Sequence, residues 1–356
     1  MWKTVKLGDV CLVRRGTTIT KKQTVEGIIP VIGGGTKPTY YHNQANREAN
    51  CITVSGSGAS AGFVNKWEQE IFASDCSTVE PQDENQLHQF VYYYLLSQQQ
   101  YIYDNFRSGA AQPHVYAKDI ATLPFPVIPL AEQQRIVAKL DAAFAEIDRA
   151  IESTNESIKN SLSLRVSVLS AVTERNGSDT TTQKLGDLFK LSSGKFLPKK
   201  EMNTDGSIKV IGGNGIAGSH DETNLSGKNV VIGRVGAKCG NVHFFDEDIW
   251  LTDNAMYVHS FLFEFDEEFL AQALTSLNLG AYARQAAQPV ISFSSIKDVP
   301  LAFPLSVSEQ REIVSKYNEI QALTESLIET RSRQMIELNC LKSAILAQAL
   351  KPSEAA

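Results

Sequence analysis

The 356-residue sequence contains no apolar run approaching the ~20 residues that a membrane-crossing helix needs. Its first residues, Met1-Trp2-Lys3-Thr4-Val5-Lys6, lack the apolar core and small-residue cleavage site of a secretory leader. Cysteine is scarce and follows no pattern. Cys11, Cys51, Cys76, Cys239 and Cys340 are odd in number and include no Cys-x-x-Cys pair. These absences predict idle or buried thiols in a reducing compartment, hence a soluble, cytoplasmic protein.

Catalytic signatures are missing too. The six histidines (His42, His88, His114, His220, His243, His259) show no metal-ligand spacing. The glycine-rich run Ser55-Gly56-Ser57-Gly58-Ala59-Ser60-Ala61-Gly62 lacks the Gly-Lys-Ser/Thr ending of a phosphate-binding loop, and so does Gly194-Lys195-Phe196. No Gly-x-Ser-x-Gly elbow occurs. Asp253-Asn254-Ala255-Met256-Tyr257 lacks both prolines of the amino-methyltransferase motif. The chain is therefore expected not to be an enzyme by itself, and to hold neither a cofactor nor a metal.

Excess positive charge is likewise absent. The net charge is −6, and residues 1–125 carry 11 basic and 11 acidic side chains. Lysines nevertheless cluster locally, at Lys21-Lys22 and Lys199-Lys200, in loop-like surroundings. Local patches of this kind can hold DNA even on an acidic chain, so charge does not exclude nucleic acid.

One absence is structural. Residues 131–173 contain neither proline nor glycine, and Ile136, Leu140, Phe144, Ile147, Ile151, Ile158, Leu162, Leu169 and Val172 recur at helical spacing. That pattern predicts one amphipathic helix about 65 Å long. A second such stretch, 308–350, follows Ser306-Val307-Ser308-Glu309, which has the form of a capping box. The first is expected to stop at Asn176-Gly177.

The chain repeats itself. Leu7-Gly8-Asp9 returns as Leu185-Gly186-Asp187, and Val31-Ile32-Gly33-Gly34 as Val210-Ile211-Gly212-Gly213. Gly58, Gly62 and Asp75 return as Gly236, Gly240 and Asp253, and Ala110-Ala111-Gln112-Pro113 as Ala286-Ala287-Gln288-Pro289. Glu132-Gln133 and Ile136-Val137 return as Glu309-Gln310 and Ile313-Val314. The offset stays between 176 and 179, so the protein reads as two copies of one unit. Each copy has short β-rich runs between glycine turns, then a helical stretch, a proline-rich strand and a long helix.

The expected class is α+β: two similar α/β domains joined by two long antiparallel helices, a pseudo-twofold duplication. An apolar stripe must be covered, and pairing the two helices as a coiled coil does so economically. The boundaries read as 1–127 for the first globular domain, 128–177 for its helix, 178–304 for the second domain and 305–352 for its helix.

The globular segments offer polar loop chemistry suited to DNA. Candidates in the first are Lys21, Lys22, Lys37, Tyr40, Tyr41, His42, Lys66, Arg107, Ser108, Gln112 and His114. In the second they are Lys195, Lys199, Lys200, Asn214, His220, Arg234, Lys238, Arg284, Gln285 and Gln288. Arginine, asparagine and glutamine match base edges, while lysine, serine and backbone amides hold phosphates.

This arrangement resembles the specificity subunit of type I restriction–modification systems. The resemblance spans the whole chain and rests on the paired Leu-Gly-Asp starts and on the helix openings. Those openings are Pro129-Leu130-Ala131-Glu132-Gln133-Gln134-Arg135-Ile136-Val137 and Pro304-Leu305-Ser306-Val307-Ser308-Glu309-Gln310-Arg311-Glu312-Ile313-Val314. It implies two target recognition domains, each reading half of a split site in double-stranded DNA, with the helices as a ruler for the gap. It also implies two methyltransferase subunits around the helices, docking near Glu132, Gln133, Arg135, Glu309, Gln310 and Arg311, and restriction subunits joining them. S-adenosylmethionine, ATP and magnesium would belong to those partners. Unlike loop residues in the two copies predict an asymmetric site. Two rival readings stay open at this point: a helical scaffold with two protein-binding heads and no DNA, and the specificity protein of a fused methylase–nuclease system.

Overall fold

The structure is a computed structural model and describes residues 2–109, 111–173, 180–284 and 288–351. The side chains of Leu169 and Val172, and the expected helix stop at Asn176-Gly177, lie outside what it describes. The chain forms two compact units: residues 1–154 with 333–356, and residues 155–332.

In the first unit a four-stranded antiparallel sheet runs in the order Cys11–Arg15, Cys76–Pro81, Cys51–Ser55, Val64–Trp67. The strand Cys51–Ser55 is buried on both faces, which explains its unbroken apolar and hydroxyl composition. A three-stranded sheet places Ile29–Ile32 between Tyr40–His42 and Phe72–Ala73. Lys3–Lys6 pairs antiparallel with the proline-rich Pro124–Val127. Proline cannot donate to a ladder, and a two-stranded ribbon accommodates it. That ribbon delivers Phe125 into the core, edge-on to Phe90 at 5.9 Å and to Tyr94 at 5.0 Å between ring centroids.

The second unit repeats this wiring strand for strand. Its four-stranded sheet runs Phe189–Ser193, Ala255–Phe261, Lys228–Gly233, Val242–Asp246. Its three-stranded sheet centres Ile208–Gly212 between Gly215–His220 and Ile249–Leu251. Thr180–Lys184 pairs with Pro300–Pro304, and Phe303 takes the place of Phe125, 4.8 Å from the ring of Phe265. Sequence duplication is thus fold duplication.

The long helices span Leu130–Thr173 and Val307–Ala349. Ser306 caps the second, its hydroxyl accepting from the Glu309 N–H at 3.4 Å. In the first unit the start of one helix packs with the end of the other: Leu346 joins Ile136, Leu140 and Phe144 in a single core. Lys342 donates to the Asp148 carboxylate at 2.7 Å and lies 4.7 Å from the centroid of the Phe144 ring. Positions rise along one helix as they fall along the other, so the pair is antiparallel. In the second unit Ile313 and Val314 enter the domain core. Asn318 donates to Glu268 at 2.8 Å and accepts from Gln272 at 3.2 Å, tying the helix Glu267–Ser276 to the long one.

Burial corrects part of the predicted stripe. Ile136, Leu140, Phe144 and Ile147 are buried and Ile151 and Ile158 half-buried, but Leu162 is 49% exposed. Thr154 and Ser161 are buried instead, each hydroxyl bonded to the carbonyl four residues back. The seam is therefore a heptad series, 140–147–154–161, that exchanges bulky residues for small hydroxylated ones. A count of apolar residues alone passes over it.

Candidate nucleic-acid interface

Three loops meet at one end of each domain, held by the same backbone bonds. In the first domain the glycine-rich loop is closed by Gly62 N–H donating to Ser55 C=O at 2.7 Å. Gly62 has φ +86°, and a Cβ there would lie 2.8 Å from Ile102 Cγ2, so a side chain is excluded twice. Gly58 N–H donates to Pro113 C=O at 2.9 Å, and Ser108 and His114 bridge each other, which pins the Ala-Gln-Pro loop to the glycine-rich one. Gly34 brings in the third loop: a Cβ there would stand 2.4 Å from Ser57 C=O.

The second domain repeats each bond. Gly240 N–H donates to Gly233 C=O at 2.7 Å and Gly236 N–H to Pro289 C=O at 3.0 Å. Arg284 bridges Val290, and Gly213 abuts Val235 C=O. A glycine pattern that failed as a phosphate-binding loop is thus the frame of a loop cluster.

Several candidates are free surface in or beside these clusters. Lys37, Gln112, Asn214, Lys238, Arg284 and Gln288 are exposed. Lys21-Lys22 and Lys199-Lys200 are exposed on matching single-turn helices, and Tyr41 and Lys195 are exposed as well. Gln285 lies outside the described residues.

Others are committed to the fold. His42 is buried, its Nδ1 3.0 Å from the Val25 N–H, with Phe72 edge-on; it is a structural residue and not a reader. Tyr40 donates its hydroxyl to Ile19 C=O. Lys66 donates to Gln89 at 2.6 Å. Arg107 donates to Ala61 C=O at 2.7 Å and covers the Tyr103 ring at 3.8 Å, so its cation braces the glycine loop. Ser108 and His114 bond within their own loop. His220 sits edge-on to Trp250, and Arg234 reaches Ser193 at 3.4 Å.

The helix openings divide as sharply. Gln133 is fully buried: its Oε1 accepts from Leu87 N–H at 2.8 Å, and its Nε2 donates to Asn85 C=O at 2.8 Å and Ile128 C=O at 3.0 Å. Gln310 repeats this, accepting from Asp266 N–H at 2.8 Å and donating to Pro304 C=O at 2.9 Å, also fully buried. Both glutamines were expected at a partner interface, yet they present no surface; they latch helix to domain. Glu132 and Arg135 stay outside as a two-point ion pair, and Arg135 holds the Glu132 carboxyl below its ordinary range. Arg311 is exposed and reaches Asp266 at 3.4 Å, while Glu309 is half-buried.

Two residues escaped the sequence reading. Asn46 and Asn224 lie 178 apart, and each clasps one strand residue from both sides. Asn46 accepts from Ala73 N–H and donates to Ala73 C=O; Asn224 does the same with Leu251. Their constant offset was the available signal. Among the described residues no group of His, Cys, Asp and Glu could hold a metal ion, and no helix is long and apolar enough to cross a membrane.

The structure thus comprises two duplicated α/β domains, each with a loop cluster that presents exposed donors, and two long helices that pack together. The sequence model described as "Type I restriction modification DNA specificity domain" matches residues 1–160 and 177–338. The chain belongs to that family and is a specificity subunit, not a catalytic one. It is 30% identical over 149 residues to the Type I restriction enzyme EcoprrI specificity subunit of Escherichia coli, a match covering 41% of this chain and 37% of that one. It is 26% identical over 260 residues to a putative type I specificity subunit of Mycoplasma pneumoniae, covering 68% of each. A solved structure described as the structural basis of complex assembly and conformational transition of the type I R-M system shares the fold. Its TM-score is 0.74 at 18% identity, with 98% of this chain and 97% of that one covered.

Proposed function

We propose that each domain reads one half of an asymmetric, bipartite site in double-stranded DNA, and that the long helices set the gap between the halves. The observation that carries this is the pair of loop clusters, identical in backbone bonding and different in side chains. A shared frame presents unlike side chains: Ser57 and Ser108 bridge His114 in the first cluster, where Val235 and Arg284 bridge Val290 in the second. Base edges are discriminated by donor and acceptor pattern, so different readers select different half-sites.

Half-buried Glu132 and Glu309, at equivalent positions in the two copies, and exposed Arg135 and Arg311 flank the buried latches. They are suited to dock two methyltransferase subunits, one per half-site. S-adenosylmethionine would act in those subunits, on an adenine drawn out of the duplex, and ATP and magnesium in restriction subunits. Methylome sequencing of a host expressing this chain with its methyltransferase tests the reading. The expected result is methylated adenines in two short, unlike motifs at constant separation; a palindromic motif contradicts it.

A further inference from the structure

The two domains differ at one place beside the loop cluster. In the first, Arg107 lies over Tyr103 and donates to Ala59 and Ala61, filling the space next to Gly62. The buried Ile102 and Leu279 correspond, as do the Ser108–His114 and Arg284–Val290 bridges. The second domain is one residue shorter between these anchors: Gly280 follows Leu279 where Tyr103 follows Ile102, and Ala283 precedes the Arg284 bridge where Arg107 precedes the Ser108 one. The plug is gone, and a cleft of about 750 Å³ opens there.

Lys238, Asn241, His243, Asn278 and Arg284 line this cleft, and no carboxylate does. Lys238 and Arg284 are exposed and have no ion-pair partner among the described residues. Burial and the neighbouring Lys238 push the His243 ring below its ordinary range, so it offers a neutral polar edge and leaves the charge to the two cations. Paired cations among amides, without a competing acid, suit a phosphate group.

We propose that this cleft holds a backbone phosphodiester of the DNA duplex between Lys238 and Arg284, a clamp that the first domain lacks. The proposal rests on the DNA-reading function above and deepens it. The second domain then supplies more of the sequence-independent grip, while the first depends more on base contacts.

The test uses the full chain assembled with its methyltransferase partner and a labelled, mixed-sequence duplex of about 50 base pairs, titrated at several salt concentrations. K238Q/R284Q is expected to bind about tenfold more weakly near 100 mM salt and to flatten the log K against log salt slope by about 2. Its melting curve should match the wild type, since both side chains are exposed and unpaired. Millimolar pyrophosphate should compete equally poorly with both proteins. An unchanged slope with intact wild-type binding overturns the clamp and leaves DNA reading standing. Pyrophosphate binding that only the wild type shows, with an unchanged slope, reassigns the cleft to a free phosphate compound and overturns the duplex as its source. Failure of the wild-type assembly to bind the duplex at all overturns the reading on which the clamp rests.

Discussion

Gln133 accepts the backbone N–H of Leu87 across 46 positions of sequence, at 2.8 Å, from inside the first turn of a 44-residue helix. Leu87 immediately precedes the helix His88–Ser97, so one side-chain amide ties two helix starts together. Gln310 does the same for Asp266, which itself caps Glu267–Ser276 by accepting from Phe269 N–H. The long helices are thereby fixed to their domains at the base, where any measuring role requires rigidity.

Replacing either glutamine with leucine strands a buried N–H and at least one carbonyl. Each substitution should cost about 2–3 kcal/mol, typical of unsatisfied buried polar groups. Urea denaturation monitored by fluorescence checks this, and Q133E, which sets a buried carboxylate oxygen against the Asn85 and Ile128 carbonyls, should destabilise at least as much.

The helix pair in the first unit should respond to truncation of Leu346 or Phe144. Both are buried in one core, so L346A and F144A should each lose roughly 2–5 kcal/mol, read by the same denaturation. K342A should cost far less, because Lys342 is only half-buried and its partner Asp148 is exposed to solvent.

Acid should weaken the first unit through His88. Burial, then Lys66, lowers its pKa from 6.5, and its Nδ1 is buried without a partner. The unfolded chain therefore takes up the proton first. Stability is complete above about pH 6.5 and falls as pH drops from there toward the depressed folded value. A stability–pH curve for H88Q should be flatter over that window.

Thiol reactivity should single out Cys340. Cys11, Cys51 and Cys76 are buried and pushed up to about 12, Cys239 is buried, and Cys340 is exposed. A thiolate is the reacting species, so Ellman's reagent at pH 7.5 should titrate Cys340 rapidly and the rest only after unfolding.

The duplication, the long helices and the Ser306 cap were legible because they depend on spacing and local preference. The roles of the polar residues were not. Gln133 and Gln310 look like surface residues because a glutamine early in a helix normally meets water, and their burial arises only when the domain folds over them. His42 and Arg107 sit among glycines and charged neighbours, as reader residues would; long-range partners at Val25 and Ala61 turn them into braces. The heptad seam through Thr154 and Ser161 was hidden because hydroxylated residues that satisfy themselves on their own helix carry no hydropathic signal. The glycine loops were legible as no phosphate-binding motif, but not as the close backbone packing that Gly34 and Gly62 permit, which depends on partners distant in sequence.

The measuring role of the helices is the central claim, and one methylome comparison tests it most directly. Deleting residues 148–154 and 336–342 removes one heptad from each helix around the antiparallel pair Asp148–Lys342. The shortening is about 10 Å, or about three base pairs of rise. The account predicts unchanged half-site letters separated by a gap about three base pairs shorter. Altered letters at the original spacing would contradict it.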